Sequence, residues 1–291
     1  ATGALTGWIE PEPLAGEVDA ALKRIRLAPL SGYAGERLSG TAAFEGRLSI
    51  RTLDDALQAD GTGELRLMSA GIGSDIKLAK ARLPTELVWA PTGLSASGNI
   101  EARQIDTYGA TTRGVQGEWH VSMPTDEPLA FTAAVGAGGL GYGPIDMEAL
   151  DLDIRGDVAE GGDPNVTINW TGTSLALAPE GGTPVRSNLT DGSLELSEGS
   201  ALIEINGRNG AEQVIGIDAI HSLNSNKGQV SALLLTGPDG LVIANNAPIR
   251  YALQEAGGAS VQADILIGEG AIRIDGLWAE VDNTEIDVAI E

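Results

Sequence analysis

A two-residue hydrophobic period recurs along this chain, cut at short intervals by glycine turns, and it constrains the fold more than any other feature. In ALDLDIRGDV, Leu150, Leu152 and Ile154 alternate with Asp151, Asp153 and Arg155. In ALIEINGR, Ile203 and Ile205 alternate with Glu204 and Asn206. ADILIGEGAIRIDGLWAEV sets Ile265 and Ile267, then Ile272 and Ile274, on one side, and the terminal TEIDVAIE does the same with Ile286, Val288 and Ile290. Successive side chains of a strand point to opposite faces, so each segment reads as a strand with one apolar and one wet face. Strands buried on both faces would instead read as continuous apolar runs. Turn dipeptides with a residue suited to positive φ, such as Asp191-Gly and Asn209-Gly, separate the strands. Helical patterning is confined to two short stretches, Ala28–Ala34 and Leu53–Ala59.

An alternating strand must bury its apolar face against something. A two-sheet sandwich buries it internally, whereas a sheet curled into a trough leaves a groove for another molecule to fill. Aromatic residues make up 4% of the chain, while glycine is abundant at 40 residues of 291. Aromatics do much of the filling of a sandwich core, so their scarcity favours the trough. The expected fold is all-β: an elongated, curled, mainly antiparallel sheet with one or two short helices, a β-sandwich or β-solenoid being the alternative. A solenoid's regular repeat of about 20–30 residues is not visible. No linker divides the chain, so residues 1–291 are expected to form a single elongated β domain, and the start without Met suggests a segment of a longer protein.

The net charge of −23 is unevenly spread. Residues 1–113 carry 12 basic and 14 acidic side chains, and residues 114–291 carry 6 and 27, a weak composition shift near 113. Phosphate contacts need Lys and Arg, so a nucleic-acid partner is not expected. There is no cysteine, which removes disulfides, thiolate metal sites and Cys nucleophiles. ATGALTGWIEPEP has neither the basic region nor the apolar run of a signal peptide. The long uncharged stretch from Pro128 to Ile145 is broken by glycines and prolines and is no transmembrane helix.

Within that stretch, Gly136-x-Gly138-x-x-Gly141, with Asp157 further on, has the spacing of a dinucleotide fingerprint. A nucleotide fold needs a crossover helix after the third glycine. Only Tyr142–Glu148 separates the glycines from the next strand, and Gly143 and Pro144 interrupt it. The expected structure is a hairpin: one strand into Gly136, a glycine corner with Pro144, and a strand out through Leu150, Leu152 and Ile154. Asp151-x-Asp153-x-Arg155 begins like a calcium loop, but Arg155 and Gly162 stand where oxygen ligands belong. His120 and His221 are about a hundred residues apart with no H-E-x-x-H arrangement, and no G-x-S-x-G elbow occurs. No catalytic residue, metal or cofactor is assigned. Asn165, Asn169 and Asn188 begin glycosylation-type triplets, which matter only in a eukaryotic secretory setting.

The run from Pro11 to Ile50 contains Gly16-Glu-Val-Asp, then Leu27-Ala-Pro-Leu30, then Leu38-Ser-Gly40. This order of strand start, leucine-rich "L-x-P-L" segment and strand restart resembles units of the bacterial AsmA-like superfamily, which includes the TamB and YdbH proteins. The resemblance covers residues 11–120, and the rest in style only. It implies a long curled sheet, the β-taco, with an apolar concave face, in proteins that move phospholipid between the inner and outer membranes. It further implies a periplasmic protein of a Gram-negative bacterium, anchored in the inner membrane through a segment absent from this chain. Phospholipid acyl chains would be the ligand, with membrane-embedded envelope proteins as possible partners at its ends. The expected function is lipid binding and transfer without catalysis, supporting envelope integrity. The alternative is a non-enzymatic structural or adhesive surface β-protein; a polysaccharide-acting enzyme, needing a carboxylate pair in a Trp-lined cleft, is a third reading. The groove-lining candidates are Leu150, Leu152, Ile154, Ile265, Ile267, Ile272, Ile274, Ile286, Val288 and Ile290, each at the right parity in a strand.

Overall fold

The computed structural model describes the chain apart from residues 1, 13, 35–36, 54–55, 144, 160–161, 178–183, 238–239, 241, 255–257, 268–269, 281–285 and 288–291. Side chains are described up to 266, except those of 33–34, 254, 258–259 and 264. The fold is all-β, 85% strand with almost no helix, and its strands pair antiparallel. The ladder closes into a six-strand barrel to which further strands are added, so the pairings by themselves do not specify an open trough.

The chain divides into two compact units, Ala1–Gly143 with Ala149–Gly162, and Pro144–Glu148 with Asp163–Glu291. The charge shift near 113 falls inside a strand and does not coincide with this division. The first unit contains β1 (Thr2–Pro11), β2 (Leu14–Arg26), β3 (Leu38–Leu53), β4 (Ala56–Ile72), β5 (Ile76–Ala90), β6 (Gly93–Thr107) and β7 (Ala110–Pro124). It continues with β8 (Leu129–Ala137), β9 (Gly139–Tyr142) and, later in the chain, β11 (Ala149–Val158). The second unit holds β10 (Ile145–Met147), β12 (Pro164–Leu177), β13 (Val185–Ser197), β14 (Ser200–Asn209), β15 (Glu212–Ser222) and β16 (Lys227–Thr236). It ends with β17 (Val242–Gln254), β18 (Gly258–Ile267), β19 (Gly270–Glu280) and β20 (Ile286–Asp287). From β1 to β8 every strand pairs with its chain neighbour, as it does from β12 to β20. Short turns favour this meander, because each hairpin forms without a crossover.

Two expectations about local structure are corrected. The described residues of Leu53–Ala59 are strand, not helix: Leu53 ends β3 and pairs with Ala56, and Thr52 pairs with Leu57. A stretch this short cannot repay helix nucleation, while strands on both sides supply a ladder at once. Ala28–Ala34 does turn, as a 3₁₀ turn (Ala28–Leu30) running into one α turn, α1 (Ser31–Ala34). The glycine string is not itself the corner. Gly136 lies in β8 opposite Asp151, and the chain runs on through β9 as far as Tyr142 before turning at Gly143, whose φ is +52°. The antiparallel pairing of β8 with β11 is as expected, and Pro144 lies outside the described residues.

The registers define the faces. Reading across the first unit, Leu22, Phe44, Leu65, Leu83, Ile100, Gly117, Val135 and Leu152 stand in one row, and the neighbouring rows of the same parity are equally apolar. The opposite face carries ion pairs between strands. Arg47 meets Asp19 at 2.8 Å and Glu17 at 2.9 Å, and Arg82 meets Glu64 at 2.9 Å. Exposed pairs of this kind set register more than they add stability.

Glu64 accepts hydrogen bonds from Arg82 and Arg66, which hold its carboxyl at about 2, below the reference 4.5. A depressed carboxylate stabilises the fold above its unfolded pKa, and that contribution disappears as pH falls through the folded value. The melting temperature of Glu64→Gln should therefore lie below that of the parent by a constant margin above pH 4.5. The two should converge as pH approaches 2, as measured by thermal melts across pH.

Candidate functional site: the apolar face of the first unit

A line of irregularities crosses the strands of the first unit and explains how the apolar face is shaped. On β2 the register shifts between Leu22 and Ile25, around Arg24 at φ +53°. On β3 it shifts between Thr41 and Ala42, which leaves Met68 of β4 unpaired between Leu67 and Ser69. Lys80 of β5 sits at φ +52° and Gly114 of β7 at φ +63°. Gly138 separates β8 from β9 and donates its N–H to the Arg113 carbonyl at 2.8 Å. An extra residue or a left-handed residue bends a strand locally. Aligned across neighbouring strands, such bends crease the sheet.

Beside the crease runs a row of buried apolar side chains: Ala42, Leu67, Ala81, Ala102, Val115, Ala137 and Leu150. Ala81 is 1% exposed and Leu150 6%. Two residues up each strand, the row of Phe44, Leu65, Leu83, Ile100, Val135 and Leu152 is half-buried. Further along, on the same face, Leu48, Trp89 and Met123 are exposed, Met123 by 47%. Burial on this face is deepest in the row beside the crease, while rows further along it hold half-buried residues such as Ile50 and Leu94 beside exposed ones. Four of the seven in the crease row are alanines, which pack closely where larger side chains would be crowded.

Glycine and aromatic residues cooperate on this face. A Cβ on Gly46 or Gly63 would come within 2.7 Å of the Phe44 ring, so the ring lies over both glycines. In the second unit Trp170 covers Gly192 in the same way, and Tyr251 covers Gly228. Tyr251 also stacks on His221, ring centroids 5.7 Å apart, with its hydroxyl 3.2 Å from Nδ1. Phe44, Trp170 and Tyr251 thus each cover a glycine of the neighbouring strand, a contact that pins register.

The groove candidates of the first unit fall together. Leu150 lies in the buried row, Leu152 in the half-buried row, and Ile154 two residues further along the same face. Ile265 is half-buried in the second unit on the same side of β18 as buried Ala263. The side chains of Ile267, Ile272, Ile274 and Ile286, and the whole of Val288 and Ile290, lie outside the described residues. Sequence reading missed Leu22, Phe44, Leu65, Leu67, Leu83 and Ile100, which form the broadest part of the face. Alternation in GELRLM and AAFEGRLSI was the signal that could have found them.

The polar face has its own depression, about 870 Å³ in volume. It is flanked by Thr62, Glu86, Ser97, His120, Thr132 and Arg155 on one side and by Pro84, Asn99, Glu118, Ala134 and Asp153 on the other. The row between them, from Gly63 through Gly98 to Ile154, points its side chains to the apolar face, so backbone forms the floor. Arg155 is tied to Asp153 at 3.0 Å. Trp119 belongs to the floor row, and its buried indole Nε1 has no hydrogen-bond partner among the described residues. Among the described residues no group of three or more His, Asp or Glu is placed to hold a metal ion, and no helix is long and apolar enough to cross a membrane.

No family model matches the chain, and neither the curated proteins nor the solved structures yield a match.

Proposed function

We propose that the protein binds the acyl chains of amphipathic lipids on the apolar face of its sheet. The observation that carries this reading is the continuous apolar face of the first unit, buried at Ala81 and Leu150 and exposed at Leu48, Trp89 and Met123. Keeping an apolar face of this kind in contact with water costs free energy. An acyl chain removes both its own surface and the protein's, at roughly 0.8 kcal/mol per buried methylene. Leu, Ile, Val and Ala offer no directional polar group, which suits a ligand recognised by length and shape alone. The resemblance of Pro11–Ile50 to AsmA-like units extends the reading. The ligand would be phospholipid carried between the inner and outer membranes, in the periplasm, with envelope proteins as partners. The polar face, with its ion pairs and acidic surplus, would keep the loaded sheet in water.

Mass spectrometry of an organic extract of the purified protein, with uptake of a fluorescent fatty acid as the second readout, tests this. Co-purified phospholipid and saturable uptake are expected. A lipid-free preparation that takes up no probe would sink the reading.

A further inference from the structure

Three side chains line the outside of the crease, on the face opposite the buried row. Lys80 and Arg103 stand opposite each other on β5 and β6, between the register pairs Ala79–Gln104 and Ala81–Ala102. Met68 stands opposite Lys80 on β4, between the pairs Leu67–Ala81 and Ser69–Ala79. Each adjoins a member of the buried row in the chain, Leu67, Ala81 or Ala102, and so lies on the other face. All three are exposed, Met68 by 64%, and Gly114 extends the line onto β7 without a side chain. Arg24, exposed where the register of β2 shifts, adds a third cation at the crease.

None of Arg24, Lys80 and Arg103 forms an ion pair among the described residues. The carboxylates nearest to them along β4–β6 are engaged elsewhere. Glu64 is held by Arg66 and Arg82, Glu101 by Arg82, and Asp106 by Gln104 and Thr111. Like charges opposite each other across a ladder destabilise it. A chain of 41 acidic and 18 basic residues thus sets two cations face to face with no carboxylate paired to either. The result is a local positive field on an acidic protein.

We infer that this line docks the first unit on a bilayer that bears anionic lipid headgroups. Two features select that occupant. A headgroup phosphate accepts charge-assisted hydrogen bonds from Lys80 and Arg103 together and removes their repulsion. Met68, an exposed apolar side chain beside them, gains nothing from a free anion. At a bilayer it enters the apolar edge of the headgroup layer while the cationic heads stay at phosphate level. The net charge of −23 does not oppose this contact. Physiological salt screens charges over about 8 Å, so the surface meets the local excess at the crease and not the sum over the chain.

The test is co-sedimentation of the full chain with vesicles of phosphatidylcholine alone and with vesicles of equal parts phosphatidylcholine and phosphatidylglycerol. Binding is expected to the mixed vesicles only, and it should weaken as salt is raised. Arg24→Gln, Lys80→Gln and Arg103→Gln combined should weaken it about a hundredfold, each cation near an anionic surface contributing about fivefold. Arg208→Gln, Lys227→Gln and Arg250→Gln, all exposed in the second unit, remove the same charge and should leave binding unchanged. Met68→Ser should weaken it severalfold at every salt concentration. The inference is overturned if the parent binds both vesicles equally or neither, or if the crease variant binds as the parent does. It is equally overturned if the second-unit variant loses as much. Capture of the parent by duplex DNA or polyglutamate, with none by the mixed vesicles, would assign the line to an acidic macromolecule and also overturn it. Uptake of a fluorescent fatty acid is read separately in the same preparations. Docking without uptake counts against acyl binding alone, and uptake without docking counts against this inference alone.

Discussion

Leu150→Asp is expected to unfold the first unit, while Leu152→Asp, two residues away on the same strand and face, is expected to leave it folded and empty it of lipid. Leu150 is 6% exposed, in the row of buried apolar side chains beside the crease. An aspartate there would place a carboxylate against Ala137, its partner across the ladder, with no cation among the residues of its row. The loss of a buried leucine and the burial of an unpaired polar group add up to about 4 kcal/mol or more. That is a large part of the stability of an ordinary domain. Leu152 is half-buried, so its aspartate can reach water and the fold loses only about 1–2 kcal/mol. An acyl chain lying along Leu83, Ile100, Val135 and Leu152 would meet that carboxylate directly. Urea denaturation reads the first effect and lipid content by mass spectrometry the second. If Leu152→Asp unfolds the protein as completely as Leu150→Asp, the face is a closed core and carries no ligand.

Gly40→Ala is the second substitution expected to have a large effect, through the backbone and not through lost contacts. Gly40 lies on β3 at φ +95°, a conformation that L side chains rarely adopt. A Cβ there would stand 1.7 Å from the Ser69 carbonyl oxygen of β4, so the strand could not keep its ladder. The Gly40 carbonyl also accepts the Leu27 N–H at 3.1 Å and so ties the 3₁₀ turn to the sheet. Strain of this kind costs about 1–3 kcal/mol before the clash is relieved, and the total should exceed about 3 kcal/mol. Gly32, with nothing within 4 Å of its missing Cβ, is the control. Gly32→Ala should change stability by less than about 0.5 kcal/mol. Equal unfolding midpoints for the two variants would show that β3 does not need Gly40.

Expectation and structure parted at specific places. The period-2 pattern at Leu150, Leu152 and Ile154 was enough to assign a strand and its faces, because alternation follows directly from strand geometry. The hairpin nature of the segment around Gly136–Gly141 was legible for a related reason: too few residues separate its strands for a crossover. The position of the turn was not. Glycine marks where a chain can turn, and Gly138 and Gly143 were equally good signals until Gly136 paired with Asp151 and the Gly138 N–H bonded the Arg113 carbonyl, which carried the chain on into β9. Leu53–Ala59 shows the same limit. Its local helical pattern lost to strand pairing on both sides, a contest that spacing alone cannot score.

The crease was the least visible feature. Gly114 and Gly138 hint at it, but Arg24 and Lys80 take positive φ without any sequence signal, and Met68 is unpaired only because Thr41 and Ala42 shift the register opposite it. A bulge is a property of two strands, and no single segment records it. By itself, then, the sequence determined that the chain folds as antiparallel strands with one apolar and one charged face, since that depends only on residue order along each strand. Tertiary structure alone decided that Ala42, Ala81 and Leu150 are buried on the apolar face while Leu83 and Leu152 are half-buried and Met123 exposed. Burial along one face depends on where bends in neighbouring strands align, which no single strand records.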